Sequence, residues 1–146
     1  MKVKTKRLHT DAVIPKKAHA TDAAFDLVAT EVSVDWAKQE LTCHTGLAFE
    51  IPQGYAGIIY PRSSVANKPL ILHNCTGIID ADYRGEVTAK FLITDLRAYL
   101  QEDGGYHAGD RVAQMMIMPF PQVEFEEAES LSETERGEGG YGSTGR

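Results

Sequence analysis

Leu41-Thr42-Cys43-His44-Thr45-Gly46-Leu47-Ala48-Phe49-Glu50-Ile51 is the stretch that decides the fold class. Leu41, Cys43, Thr45, Leu47, Phe49 and Ile51 share one face, while Thr42, His44 and Glu50 point the other way. Successive side chains of an extended backbone leave on opposite faces, so this period of two predicts a half-buried strand, ended by the turn Pro52-Gln53-Gly54. Val87, Ala89, Phe91 and Ile93 alternate in the same way with Glu86, Thr88, Lys90 and Thr94. Arg111 to Phe120 is apolar on both faces and stops at Pro119 to Pro121, which predicts a strand covered on two sides.

Shorter strands are expected outward from these at Lys2 to Leu8, Asp26 to Val28, Glu31 to Val34, Tyr55 to Tyr60, Leu70 to His73, Gly77 to Ile79 and Val123 to Phe125. Turn residues separate them at short intervals, the pattern of an all-β sandwich, jelly roll or barrel rather than of βαβ units. Only Ser63 to Asn67 and Leu96 to Gln101 suit a short helical turn. With 146 residues, 42% of them hydrophobic, the chain supports one core and one domain, placed at residues 1–130. Residues 131–146 read as a flexible arm, because from Arg136 onward the sequence RGEGGYGSTGR offers one large apolar side chain, Tyr141, too little to offset the entropy of ordering.

Composition narrows the function classes. The chain carries 15 Lys+Arg against 21 Asp+Glu, a formal charge of −6, with no basic cluster beyond the N-terminal lysines. Such a surface repels a long polyanion, so no nucleic-acid partner is expected; a small anion held by a few arginines is compatible with it. No apolar run approaches the ~20 residues that span a bilayer, and none resembles a secretion signal, so the expectation is a soluble, cytoplasmic or otherwise intracellular protein. Cys43 and Cys75 are too few for a disulfide framework and read as reduced thiols. Cys43-His44 with His73 and Cys75 keeps a zinc site open, without the close ligand spacing that would favour it.

Five segments carry chemistry: ATDAAFDL (Ala20 to Leu27), PRSS (Pro61 to Ser64), NCTGIIDADYRGE (Asn74 to Glu86), GDRVAQ (Gly109 to Gln114) and RGEGGYGSTG (Arg136 to Gly145). Asp80 follows the apolar Gly77-Ile78-Ile79, which puts a carboxylate at a strand end, where it can take a proton from water. Asn74 presents both a donor and an acceptor, able to pair with a ligand edge that offers the complement. Arginine forks at Arg62 and Arg136 suit phosphate oxygens, and Ser63 and Gln114 donate without adding charge. For Arg111 a salt bridge is the preferred reading.

In order, spacing and content these segments resemble the five-motif signature of trimeric dUTPases. The resemblance implies a jelly-roll (β-clip) subunit with a Gly-rich C-terminal arm, a homotrimer, and hydrolysis of dUTP to dUMP and pyrophosphate, which limits uracil in DNA and supplies dUMP for thymidylate synthesis. It implies that Asp80 activates the water that attacks the α-phosphorus, that Tyr83 underlies the deoxyribose, and that Asn74 with backbone groups of Gly77 and Ile79 reads uracil. Arg62, Ser63, Ser64, Gln114 and Arg136 would hold the phosphates, and Tyr141 would stack on the base where the family has phenylalanine. Gly142, Ser143 and Thr144 would complete the closing arm. Mg²⁺ would arrive on the nucleotide, with Asp26 reaching its hydration shell. The first motif departs from the pattern, since Asp22, Ala23 and Ala24 replace a glycine-containing stretch. Two other readings stay open: a dCTP deaminase of the same fold, and a non-catalytic dUTP-binding regulatory trimer.

Overall fold

A computed structural model describes residues 1–101 and 104–140. Ten strands run in chain order as β1 (Lys4–Arg7), β2 (Phe25–Val28), β3 (Glu31–Asp35), β4 (Glu40–His44), β5 (Leu47–Glu50), β6 (Tyr55–Pro61), β7 (Leu70–Leu72), β8 (Gly77–Ile79), β9 (Thr88–Ile93) and β10 (Arg111–Pro119). A 3-10 turn spans Ser63–Asn67, and one helical turn, α1, spans Leu96–Tyr99. Two four-stranded antiparallel sheets, β2-β10-β6-β8 and β3-β4-β9-β7, and a β1-β5 pair make an all-β jelly roll. Both sheets feed one core, in which Leu27, Val112 and Met115 of the first meet Leu41, Cys43, Phe91 and Ile93 of the second. Each such fully buried side chain contributes about 1.5–3 kcal/mol relative to exposure.

The alternation of Leu41 to Ile51 holds for burial but not for one continuous strand. At Gly46 the backbone enters the left-handed region (φ +63°), and the chain leaves the β3-β4-β9 sheet to pair with β1 instead. Thr45 lies inside the corner, its hydroxyl donating to the Val87 carbonyl at 2.5 Å. A left-handed residue is cheap only for glycine, so a segment with unbroken period two becomes two strands in two sheets. Val123 to Phe125 forms no strand: the stretch is exposed, Phe125 by 95%, and pairs with no strand among the described residues. β10 is also covered on one side only: Val112, Ala113 and Met115 are buried in the core, whereas Arg111 and Met118 are exposed and Gln114 and Met116 half-buried.

Among the described residues, no helix is long and apolar enough to cross a membrane. Both cysteines are free. Cys43 points into the core, where burial pushes its thiol up to about 12, while Cys75 is exposed.

Candidate active site

β8 ends at Ile79, and a tight turn follows. The Tyr83 N–H donates to the Asp80 carbonyl (3.2 Å), and Arg84 Nη1 donates to the carbonyls of Ala81 (2.6 Å) and Tyr83 (3.0 Å). This locking leaves the Asp80 side chain exposed at the strand end, with no donor on its carboxylate among the described residues. It lines an open depression with Asp82, Arg84, Lys2 and Lys4. Tyr83 lies back over its own turn, its hydroxyl donating to the Glu86 carbonyl (3.0 Å). A Cβ on Gly85 would collide with that ring, so the Tyr-Arg-Gly order has a steric reason.

Ahead of Asp80, the hairpin between β7 and β8 turns through Cys75 (φ +58°), and the Cys75 N–H donates to the Leu72 carbonyl (2.9 Å). The turn holds Asn74 at the mouth of a cavity of about 420 Å³, walled by Ile59, Gly77, Ile79, Thr88 and Lys90. Gly77 pairs with Ile59 across β6, and a Cβ there would stand 3.1 Å from the Ile59 Cβ. The missing side chain therefore lets the two strands close while their backbone faces the cavity. At the rim, Glu40 accepts from Lys90 Nζ (2.6 Å) and pairs with His73 Nδ1 (2.9 Å). The Lys90 ammonium, then His73, holds this carboxyl below its usual range.

A second cavity, about 680 Å³, lies on the other face of β6 and is lined by Lys16, Asp22, Asp26, Arg62, Arg111 and Gln114, among others. Strict alternation along β10 would put Arg111 and Gln114 on opposite faces. A bulge between Arg111 and Ala113 breaks the register, sends both Val112 and Ala113 into the core, and leaves Arg111 and Gln114 beside Asp26. Asp26 Oδ1 accepts from Arg62 Nε at 2.7 Å and Oδ2 from Arg111 Nη1 at 3.1 Å, the salt bridge expected for Arg111. The remaining guanidinium N–H groups face the cavity as donors for an anion. Gln114 spends its amide on the Pro61 carbonyl (2.8 Å), which fixes the end of β6. Ser63 and Ser64 open the 3-10 turn directly after Arg62, whose Nη1 makes a long contact to Ser64 Oγ (3.5 Å). In the departed first motif, Asp22 accepts from the His19 N–H (2.8 Å) and closes the turn before β2.

Over residues 10–145 the chain matches the family model described as dUTPase. It is 42% identical to the deoxyuridine 5'-triphosphate nucleotidohydrolase of Nautilia profundicola, across 100% of both chains. The chain belongs to the dUTPase family. The corresponding protein of Thermobifida fusca is 39% identical over 99% of this chain and 79% of its own. A variant dUTPase of Staphylococcus bacteriophage 80alpha, solved with dUpNHpp, matches with a TM-score of 0.84 at 27% identity, covering 99% of each chain.

Within this dUTPase fold, Asn74, Gly77 and Ile79 converge on one cavity, while Asp26, Arg62 and Gln114 converge on another that shares no lining residue with it. Asp80 lines neither, and Arg136 is exposed with its Nε donating to the Gly139 carbonyl (2.8 Å). Tyr141, Gly142, Ser143 and Thr144 lie outside the described residues. A divalent ion fits Asp26 only through water: each carboxylate oxygen keeps one lone pair beyond its arginine, and two cations oppose a bare metal. No cluster of three metal-ligating side chains is present among the described residues, so an ion here has to bring its other ligands with it.

Sequence reasoning missed Glu86 and Glu40. Glu86 Oε1 accepts from the Gly46 N–H (2.7 Å) and Oε2 pairs with His44 Nδ1 (3.1 Å), tying the Asp80 turn to the corner between β4 and β5. Its outward place in a period-two strand reads as a solvated acid, and only the corner at Gly46 makes it an anchor.

Proposed function

We propose that the protein hydrolyses dUTP to dUMP and pyrophosphate. The observation that carries this reading is the cavity lined by Asn74, Gly77 and Ile79 beside a strand that runs directly into Asp80, whose carboxylate has no partner among the described residues, in a member of the dUTPase family. The uracil edge pairs with Asn74 and with backbone groups of Gly77 and Ile79, which line the cavity; Tyr83 lies against the deoxyribose, where its ring leaves no room for a 2′-hydroxyl. Water held by Asp80 attacks the α-phosphorus in line. Its proton passes to the Asp80 carboxylate, the bond from the α-phosphorus to the bridging oxygen breaks, and pyrophosphate leaves with the electron pair. Arg62, with Ser63, Ser64, Gln114 and Arg136, holds the phosphates and spreads their charge. Mg²⁺ on the phosphates would add charge neutralisation, with Asp26 accepting from its water shell.

The working unit is a homotrimer. This is supported by the separation, within one chain, of the base cavity, the phosphate cavity and the Arg136 arm, and by Val123, Phe125 and Leu131, exposed by 63%, 95% and 89%. Exposed apolar side chains on an extended segment suit burial against another copy. In that assembly residues 131–146 form an arm over a neighbouring site, where Tyr141 stacks on uracil and Ser143 and Thr144 contact the terminal phosphate. A cytoplasmic or otherwise intracellular setting fits two unbridged thiols.

Pyrophosphate release measured with Mg²⁺ across dUTP, dTTP, dCTP and UTP tests the reading. Turnover of dUTP alone is expected. Ammonia from dCTP would make the protein a deaminase, and dUTP binding without turnover would make it a regulatory trimer.

A further inference from the structure

Tyr106 Oη is a buried side-chain oxygen without a hydrogen-bond partner among the described residues. The residue is 4% exposed, and its ring packs on Phe91 with centroids 5.3 Å apart. Lys68, at the end of the 3-10 turn Ser63–Asn67, stands 5.0 Å over the same ring and donates to the Gly105 carbonyl at 2.5 Å. Tyr106 therefore lies beneath the turn that carries Ser63 and Ser64. Burial pushes its phenol up, and the neighbouring Ser64 side chain draws it partly back, with Asp110, Cys43 and Arg62 acting from further away. Even so, no hydrogen bond of ordinary length and angle is completed. Above it, Ser64 Oγ receives, among the described residues, only the long 3.5 Å contact from Arg62. A buried phenol with no partner among the described residues thus lies under the turn that carries Ser64, whose hydroxyl is met by Arg62 only at the limit of hydrogen-bond length.

We propose that Tyr106 is a positioning residue for phosphate recognition: its hydroxyl donates to Ser64 Oγ, and Ser64 directs its own proton to a phosphate oxygen of the bound nucleotide. A serine hydroxyl has one proton and two acceptor sites, so it accepts from Tyr106 and still donates outward. A hydroxyl that accepts becomes a stronger donor, and an anion at the far end completes the chain. The inference rests on the dUTP reading.

Tyr106→Phe, Ser64→Gly and the double variant test it, with KM and kcat for dUTP measured beside the affinity for dUpNHpp and the thermal midpoint. Tyr106→Phe removes an unsatisfied oxygen without changing shape, so its midpoint should equal or exceed that of the unaltered protein. With Ser64 present it should raise KM and weaken dUpNHpp binding about five- to tenfold, the scale of one hydrogen bond, with kcat little changed. In the Ser64→Gly background the same change should have no effect. Equal effects in both backgrounds, or none in the first, would overturn the proposal. A chain that binds dUpNHpp with this pattern yet does not turn over dUTP would reject the hydrolase reading and leave the role of Tyr106 standing.

Discussion

The cavity proposed for the base and the cavity proposed for the phosphates sit on opposite faces of the same strand, and they are built by opposite means. On one face, recognition comes from backbone: Gly77 lets β8 approach β6, and Asn74 is held in place by a left-handed Cys75. On the other face it comes from side chains, with one carboxylate, Asp26, holding two arginines at 2.7 and 3.1 Å. A backbone-built pocket discriminates shape and hydrogen-bond pattern, because its groups cannot swing to suit a wrong base. A salt-bridged cavity discriminates charge and tolerates adjustment. The two should therefore fail differently: damage to the first loosens the choice of base, and damage to the second weakens every triphosphate alike.

Asp80 belongs to neither cavity, and its loss should be the largest effect. Asp80→Asn keeps the shape and removes the base, so turnover should fall about 10²–10⁴-fold with dUpNHpp binding nearly unchanged. Steady-state rates beside a binding isotherm check this; an unaltered rate would remove Asp80 from the mechanism. Asp26→Asn comes next. An amide turns one donor edge toward the arginines, so both lose their fixed orientation, and misplacement on the scale of 1 Å costs about 10²-fold in kcat/KM. The dUTP to dCTP ratio should stay constant in that variant. A changed ratio would show that the phosphate side also reads the base.

How far each region was legible in the sequence follows from the same contrast. The motifs hold residues that line both cavities, Asn74, Gly77 and Ile79 at the first and Asp26, Arg62 and Gln114 at the second; the period of two in Val87 to Ile93 and the short apolar run Gly77 to Ile79 placed the strands that wall the first. What alternation could not reveal were the places where the backbone leaves it. The corner at Gly46 splits one predicted strand between two sheets, and the bulge at the start of β10 brings Arg111 and Gln114 to one face. Glu86 and Glu40 stayed hidden for a related reason: an outward acid acquires a role only when residues far along the chain fold onto it, as Gly46 does on Glu86 from 40 positions away and Lys90 on Glu40 from 50. Val123 to Phe125 reads as a strand because its pattern is that of a strand, but among the described residues nothing pairs with it.

Gly77→Ala probes the backbone side with a smaller expected effect. The added Cβ would stand 3.1 Å from that of Ile59, closer than relaxed packing permits. Strand separation should cost about 1–3 kcal/mol, as overpacking does elsewhere. Here, unlike in Asp26→Asn, discrimination between dUTP and dCTP should narrow while the salt dependence of binding stays the same. If Gly77→Ala weakened both nucleotides equally, the division between the two faces of β6 would not hold.

The smallest effect is expected where the base cavity borrows a charge. Glu40, with its side chain 11% exposed, accepts from Lys90 and His73 at the cavity rim, and the hydrogen bond from Lys90 is the main cause of its lowered pKa. A carboxyl held below its ordinary 4.5 stabilises the fold fully above that value and loses its contribution as pH falls through the folded pKa. Acidification from neutral toward pH 4 and below should therefore lower the thermal midpoint of the unaltered protein more steeply than that of Glu40→Gln, which has no such proton to take up. At neutral pH the variant should have the lower midpoint, and the two curves should converge in acid. Because Lys90 would lose its anchor while Gly77 and Asn74 keep theirs, KM for dUTP should change far less than in Gly77→Ala. Midpoints recorded at one protein concentration across this range decide it: parallel curves would mean that the Glu40 ion pairs add nothing to the stability of the cavity wall.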